Sequence, residues 1–261
     1  MKIVLVNSPY LDIYGPIKIS AGRYFPLGLG YLAAVLKKRG YEVLYLDPEV
    51  QGLDAEGIKN VFLKEKPDLA GISCATPNFA QALKIATLVK KHSSALVVLG
   101  GVHASAVPKW ILENSADIDT VVIGEGENTL LELCSYIENK QPITHKKIRG
   151  IAYRDGKDVV INPPREFIHD LDSLPFPARE MIDLRFYRPH PYVNRAKRSA
   201  TVLTSRGCPN FCVFCASHIT MGHKYRYHSA DYVLEEIKYL HNKLGVEHLI
   251  INDDTFTIDK Q

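Results

Sequence analysis

Short apolar segments alternate with helical segments along the first half of the chain, and this alternation restricts the possible folds more than any other feature. Five segments have the length and aliphatic content of buried strands, and each precedes a segment with helical spacing of apolar residues. The predicted strands are residues 3–6, 42–46, 69–74, 95–99 and 120–123. Strands that alternate with helices form a parallel sheet, and strands without a polar face are covered on both sides. The sequence therefore predicts an α/β fold that begins with a doubly wound parallel sheet.

Glycine residues follow two of these strands. Gly100 and Gly101 come after the fourth strand, and Gly124 and Gly126 flank Glu125 after the fifth. A doubly wound sheet binds ligands at the carboxyl ends of its strands, where glycine lets the backbone approach a flat or bulky molecule. A tight turn is the commoner reason for glycine at such places. No Gly-x-Gly-x-x-Gly follows the first strand, so there is little support for a dinucleotide site.

A hairpin and a proline-rich stretch separate the two halves of the chain. Asp155 and Gly156 lie between two β-type segments, which is a strong signal for a two-residue hairpin turn. Prolines then follow at 163, 164, 175 and 177, which is typical of an extended, semi-rigid connector. We divide the chain into a sheet domain at 1–142, a hairpin and connector at 143–195, and a second domain at 196–261.

Three of the five cysteines lie within eight residues. Cys208, Cys212 and Cys215 form a Cys-x3-Cys-x2-Cys run that can direct three thiolates at one metal centre. Three ligands leave one coordination position open for chemistry, whereas a structural zinc site takes four. A zinc site with His218 as the fourth ligand is the alternative. The other cysteines, in apolar surroundings, are expected to be buried small side chains.

The cysteine run lies in a strand–loop–helix–strand segment. An apolar segment at 199–204 precedes the cysteines, a helix that begins after Ser229 follows them, and Gly245 ends that helix. A second strand at 248–252 leads into Asp253 and Asp254. This pattern predicts one βαβ unit with the cysteines and an acidic loop at the carboxyl ends of its strands.

The cysteine run, with aromatic Phe214 before its third cysteine, resembles the cluster loop of the radical S-adenosylmethionine (SAM) superfamily. The resemblance implies that Cys208, Cys212 and Cys215 hold a 4Fe–4S cluster and that SAM chelates the fourth iron. It also implies contact of Phe214 with SAM, and of Asp254 with its methionine amino group. Reduction of the cluster would cleave SAM to a 5′-deoxyadenosyl radical. The second domain is then expected to be the first βαβ unit of a partial (β/α) barrel.

The first domain, taken with the cysteines that follow it, resembles the Rossmann-like cobalamin-binding domain that one group of this superfamily carries in front of the radical domain. The matching motifs include Asn7-Ser-Pro9, Gly28-Leu-Gly30 and Gly100-Gly101-Val-His103. The resemblance implies cobalamin contacts at the strand ends, from Pro9, Tyr10, Ser73, Thr76, Gly100, Gly101, His103, Gly124, Glu125 and Gly126. The Asp-x-His-x-x-Gly motif of the classical domains is absent after the first strand, so His103 is not assumed to be an axial cobalt ligand.

The resemblance implies an enzyme that methylates an unactivated carbon of a small-molecule or natural-product substrate, with electrons from a donor such as flavodoxin or ferredoxin. A cyclisation or rearrangement is an alternative, and a non-catalytic ligand-binding module with structural zinc is another. The net charge of +3 gives no argument for nucleic acid binding. No apolar run approaches the roughly 20 residues of a membrane span, and we expect a cytoplasmic protein.

The radical enzymes that the chain resembles have further βα units after the acidic loop. We therefore expect that this sequence is incomplete within the radical domain and is inactive by itself, with substrate-facing residues beyond Gln261. A single βαβ unit cannot bury both faces of its strands. We expect the segment 196–261 to be poorly stable or to pack against the first domain.

Overall fold

The computed structural model describes residues 1–139, 147–190, 196 and 198–258, and its first half is organised by a seven-stranded sheet. The strands are β1 (Lys2–Asn7), β2 (Glu42–Leu46), β3 (Leu69–Ser73), β4 (Leu96–Gly100), β5 (Thr120–Val122), β6 (Ile151–Asp155) and β7 (Asp158–Ile161), in the order β2-β1-β3-β4-β5-β6-β7. The first five are parallel, and β6 and β7 continue the sheet antiparallel. The chain winds in opposite directions from β1 and β3, which opens a crevice at their carboxyl ends. The predicted doubly wound sheet is confirmed.

Helices cover both faces of this sheet. They are α1 (Leu27–Lys38), α2 (Pro48–Gln51), α3 (Ala55–Glu65), α4 (Phe79–His92), α5 (Val102–Ala106), α6 (Pro108–Asn114) and α7 (Glu127–Glu138). Successive side chains of β1 point to opposite faces. Ile3 and Leu5 pack in one core with α1 and α7, and Val4 and Val6 pack in a second core with α3, α4 and α6. All four side chains are fully buried, as expected for a central strand of a parallel sheet.

The hairpin predicted around Gly156 is present, and it extends the sheet. Gly156 has a φ of 64°, which suits a tight turn between β6 and β7. After β1 the chain forms 3-10 turns over Leu11–Ser20, with an interruption at Gly15. The boundary proposed at 142 and 143 and the connector's end at 195 lie outside the described residues.

The second half forms the predicted strand–helix–strand unit, with additional short elements. These are β8 (Ser199–Val202), β9 (Ser205–Arg206), α8 (His218–Met221), β10 (Arg226–Tyr227), α9 (Ala230–Leu244) and β11 (His248–Ile251). β8 and β11 pair in parallel, and β9 pairs antiparallel with β10. The Ser229 hydroxyl accepts the Tyr232 amide hydrogen 3.2 Å away, which caps α9, and Gly245 ends the helix with a φ of 65°.

The two halves share a hydrophobic core, into which Ala200, Val202 and Leu240 pack with residues of β1, α1 and α7. The connector contributes Arg179, which is fully buried. Its guanidinium donates to Glu236 Oε1 and to the Thr201 carbonyl, each at 2.6 Å. Loss of one partner of a buried ion pair costs about 3–5 kcal/mol. The connector thus joins the second half to the first, in agreement with the expected packing.

We find no helix in the described parts of the chain that combines the length and the apolar character of a membrane span.

Candidate functional site

One cavity of about 690 Å³ lies where the strand ends of the two halves meet. Its volume falls within the usual range for small-molecule sites. The wall from the first half includes Asn7, Tyr31, Ser73, Asn78, Gly100 and Gly124, and the wall from the second half includes Thr201, Ser205, Arg206, Ser217, Asn252 and Asp254. The carboxyl ends of two separate parallel sheets therefore face the same space.

Six of the residues predicted to contact cobalamin line this cavity: Ser73, Gly100, Gly101, Gly124, Glu125 and Gly126. Four others are not among its lining residues. The Tyr10 hydroxyl donates to the Gly22 carbonyl at 2.9 Å, and Thr76 is exposed. Pro9 is half-buried after β1, and His103 lies in α5. The structure brings the glycine-bearing ends of β4 and β5 to the cavity but not these four side chains.

Two cavity glycines occupy positions where the protein's own packing would accept a side chain. A Cβ added at Gly28 or Gly100 meets no atom within 4 Å, and neither residue has a positive φ. At Gly101, in contrast, φ is 99° and a Cβ would lie 2.4 Å from the Cys74 carbonyl oxygen. Both glycines line the cavity, so a ligand can approach the backbone closely at these two positions. This wall fits a large flat molecule such as a corrin.

Two buried polar side chains, which sequence reasoning missed, hold the loops of this wall. Asn78 donates to the Ser8 carbonyl at 2.7 Å and accepts the Ala75 amide hydrogen at 2.7 Å, which connects the loops after β1 and β3. Ser105 donates to the Gly101 carbonyl and accepts the Gly124 amide hydrogen, both at 3.0 Å. Small polar residues are common near helix starts, so no signal in the sequence distinguished these two.

A buried network of charges crosses from one half to the other beside the cavity. Arg206 donates to Glu125 Oε1 at 3.0 Å and to Glu127 Oε1 at 2.8 Å, and its guanidinium carbon lies 4.9 Å from the Tyr31 ring centroid. Arg226 also donates to Glu125 Oε1, at 2.8 Å. The second oxygen of Glu125 accepts the Ile168 amide hydrogen at 2.8 Å. Both carboxylate oxygens of Glu125 are thus engaged by protein donors, and its contact with cobalamin stays a prediction.

His103 is held by neighbours outside the cavity. Its Nδ1 lies 3.1 Å from Thr76 Oγ1, and its ring centroid lies 4.4 Å from that of Phe79. Burial lowers the pKa of the imidazole, so it is neutral at pH 7. Its Nε2 is buried and has no hydrogen-bond partner in the described part of the chain. No axial cobalt role is assigned to His103, and its contact with cobalamin stays a prediction.

The three clustered cysteines are free thiols on the loop between β9 and α8. Cys208 is half-buried, and Cys212 and Cys215 are exposed. Phe214 is 89% exposed and is not among the cavity-lining residues. Within the described residues, no three His, Cys, Asp or Glu side chains are close enough together to hold a metal. The structure therefore places the thiols on one accessible loop but does not bring their sulfurs to one point. Three soft sulfur donors without disulfides fit an iron–sulfur cluster chemically.

Cys74 and Cys134 are both buried, as predicted. Burial raises the pKa of each thiol to about 12, so both are protonated at neutral pH. They therefore lack the thiolate character that metal binding requires.

The two aspartates after β11 have different surroundings. Asp253 Oδ1 accepts the Thr204 amide hydrogen at 2.7 Å, and its Oδ2 accepts the hydroxyls of Thr204 and Ser205 at 2.5 and 2.8 Å. Asp253 thus joins the ends of β8 and β11. Asp254 is exposed on the cavity wall and accepts a hydrogen bond from the Ser217 hydroxyl. No cation in the described residues pairs with Asp254.

Comparisons with known families cover most of the chain. The sequence model described as the B12 binding domain matches residues 18–134, and that described as the Radical SAM superfamily matches residues 202–261. An uncharacterized methyltransferase from Pyrococcus horikoshii is 33% identical over 264 residues, which include 100% of this chain and 55% of that protein. The anaerobic magnesium-protoporphyrin IX monomethyl ester cyclase of Cereibacter sphaeroides is 32% identical, over 100% of this chain and 42% of that protein.

A solved structure supports the same architecture. The radical S-adenosylmethionine methyltransferase TsrM from Kitasatospora setae, with cobalamin and a [4Fe-4S] cluster bound, superposes with a TM-score of 0.73. The superposition covers 97% of this chain and 47% of TsrM, at 20% sequence identity, and at that identity it shows the fold alone. The chain spans about half the length of the curated relatives described above.

Proposed function

The chain belongs to the radical S-adenosylmethionine superfamily, in the group with a B12-binding domain before the radical domain, and on this premise we propose that its cavity binds both cobalamin and SAM. We propose the domain limits 1–142, 143–195 and 196–261. The observation that carries the proposal is the cavity between the two sets of strand ends, with Gly100 on one wall and Asp254 on the other.

The first wall has the properties of a cobalamin site. Gly28 and Gly100 leave open space on the cavity side, and Asn78 and Ser105 fix the adjoining loops. The corrin would lie against the ends of β1, β3, β4 and β5. We also keep the predicted cobalamin contacts of Pro9, Tyr10, Thr76 and His103, which lie next to that surface but do not line the cavity.

The second wall has the properties of a site for a cationic nucleoside. Glu125 and Glu127 are paired with Arg206 and Arg226, so Asp254 is the cavity carboxylate that the described residues leave without a cation. A carboxylate and an ammonium group form strong charge-assisted hydrogen bonds. Asp254 would hold the methionine amino group, with Phe214 near SAM. Ser217, two residues after Cys215, orients Asp254 through its hydrogen bond.

We assign the cluster to Cys208, Cys212 and Cys215, on the loop that leads into Ser217. The bound cofactors supply reductive cleavage of SAM at a 4Fe–4S cluster and a carrier for a methyl group on cobalt. The residues of this chain would bind these groups and orient them across one cavity, with Asp254 at its edge. An electron donor of the flavodoxin or ferredoxin class would deliver the electron to the exposed cysteine loop.

Methyl transfer to a small molecule is the reaction that we propose for the whole protein. The similarity to the Pyrococcus horikoshii methyltransferase supports it. A cyclisation by the same radical chemistry is the second candidate, because the magnesium-protoporphyrin cyclase is 32% identical over the whole of this chain.

Binding of SAM to the cluster-loaded chain, measured by titration calorimetry, tests the role of Asp254. We expect Asp254→Asn to weaken binding about 10- to 100-fold, because a hydrogen bond to a charged group contributes about 1.5–3 kcal/mol. The thermal midpoint of unfolding should not change, since Asp254 is exposed. Asp231→Asn, which removes an exposed carboxylate from the first turn of α9, is the matched control and should bind SAM normally.

Asp253→Ala tests whether the neighbouring aspartate stabilises the fold, in contrast to the role in SAM binding that we assign to Asp254. It removes three hydrogen bonds between the ends of β8 and β11 and should destabilise the fold by about 1–3 kcal/mol. Wild-type affinity for SAM in the Asp254→Asn variant would contradict the assignment of the amino group to Asp254.

A further inference from the structure

Within the described residues, the sulfur of Cys208 has side-chain hydrogen-bond partners that Cys212 and Cys215 lack. Thr255 Oγ1 lies 3.3 Å from Cys208 Sγ, and Asn210 Nδ2 donates to the same sulfur at 3.4 Å. For Cys212 and Cys215 the described part of the chain provides no side-chain donor. One of the three sulfurs is therefore distinguished by its surroundings.

Thr255 is held in place by the structure around it. It directly follows Asp253 and Asp254, and Asp253 fixes this loop to Thr204 and Ser205 at the end of β8. The Cys208 side is also fixed. The Cys208 amide donates to the Gly222 carbonyl at 3.2 Å, and a Cβ at Gly207 would lie 2.3 Å from the Lys224 carbonyl oxygen. The contact between hydroxyl and sulfur thus joins two restrained segments.

The direction of this hydrogen bond follows from the state of the sulfur. As a thiol, either Cys208 or Thr255 can donate. A sulfur that ligates iron is a thiolate without a proton, so Thr255 must then be the donor. A donor to a ligand sulfur withdraws charge from the cluster and favours its reduced form, because reduction adds negative charge.

We propose that Thr255 is a positioning residue that donates a hydrogen bond to Cys208 and thereby raises the reduction potential of the cluster. Asn210 is the second donor to the same sulfur. The inference rests on the proposed function, because it requires a cluster on these cysteines. It assigns a second role to the loop of Asp253 and Asp254, which is adjustment of the cluster's reduction potential, besides the contact of Asp254 with SAM.

A redox titration of the anaerobically reconstituted chain, followed by electron paramagnetic resonance, tests this inference. Thr255→Val keeps the shape of the side chain and removes the donor, and Thr255→Ser keeps the donor. At a fixed ambient potential we expect the valine variant to have a several-fold lower ratio of reduced to oxidised cluster. A tenfold lower ratio would correspond to a midpoint about 59 mV more negative. The serine variant should match the wild type.

Asn210→Ala, at an exposed position, gives a second measurement that does not depend on the packing of Thr255. It should also shift the midpoint to a more negative value. The inference is overturned if the valine variant has the wild-type midpoint, or if the serine variant shifts as far as the valine variant. If the wild-type chain takes up no cluster, the proposed function fails and this inference fails with it. A cluster with an unaltered midpoint overturns the inference alone.

Discussion

Serine in place of Cys208, Cys212 or Cys215 is expected to remove the iron–sulfur cluster from the chain. After anaerobic reconstitution, the wild type should contain about four irons and about four sulfides per chain and absorb broadly in the visible range, as 4Fe–4S clusters do. Each single variant should contain less than about one iron, because two thiolates do not hold a cluster that requires three. Iron and sulfide analysis with the visible spectrum measures this directly.

Cys134→Ala is the matched control for this series. Cys134 is fully buried in the core beside α1, and its thiol is protonated, so the variant should keep the wild-type iron content. Iron that persists in the serine variants would contradict the assignment. A colourless wild-type chain with a single zinc would support the alternative zinc module.

Gly100→Val is expected to weaken cobalamin binding without harm to the fold. The new side chain enters the space on the cavity side, where no protein atom lies within 4 Å of the added Cβ. Overpacking of this kind costs about 1–3 kcal/mol, so the dissociation constant for hydroxocobalamin should rise about 5- to 150-fold. Absorbance titration with hydroxocobalamin measures the affinity, and urea denaturation should give an unfolding free energy within about 1 kcal/mol of the wild type.

The neighbouring glycine provides the contrasting variant. Gly101→Ala places a Cβ 2.4 Å from the Cys74 carbonyl oxygen at a φ of 99°, so this variant should lose stability. Normal cobalamin binding by the Gly100→Val variant would mean that this strand end does not face the corrin.

The sequence was sufficient for the fold because the strands of the first half are buried on both faces. Val4 and Leu5 point in opposite directions and are both fully buried, so the strand can be recognised in the sequence as an uninterrupted apolar run. The ends of α9 were also predicted correctly, because Ser229 caps the backbone of its own first turn and Gly245 ends the helix through its own positive φ. Such features depend on residues that are close in the sequence.

Features that depend on distant residues could not be predicted. Arg206 pairs with Glu127, 79 positions away, and nothing in the sequence around either residue indicates this partner. The same reason explains why Gly100 and Gly101 look alike in the sequence, although only Gly101 packs against the Cys74 backbone. His103, Thr76 and Tyr10 follow strands as cavity residues do, yet their side chains are engaged elsewhere. Proximity to a strand end predicted which strand ends line the cavity but not the direction of each side chain.

Electron paramagnetic resonance of the chain loaded with both cobalamin and the reduced cluster tests the central claim, that the two sheets present their cofactors to one cavity. In this account the cob(II)alamin signal is broadened or relaxes faster when the cluster is reduced, and it returns to its isolated form in the Cys208→Ser variant. A chain that binds one cobalamin and one reduced cluster, but gives the plain sum of the two separate spectra, would contradict the account.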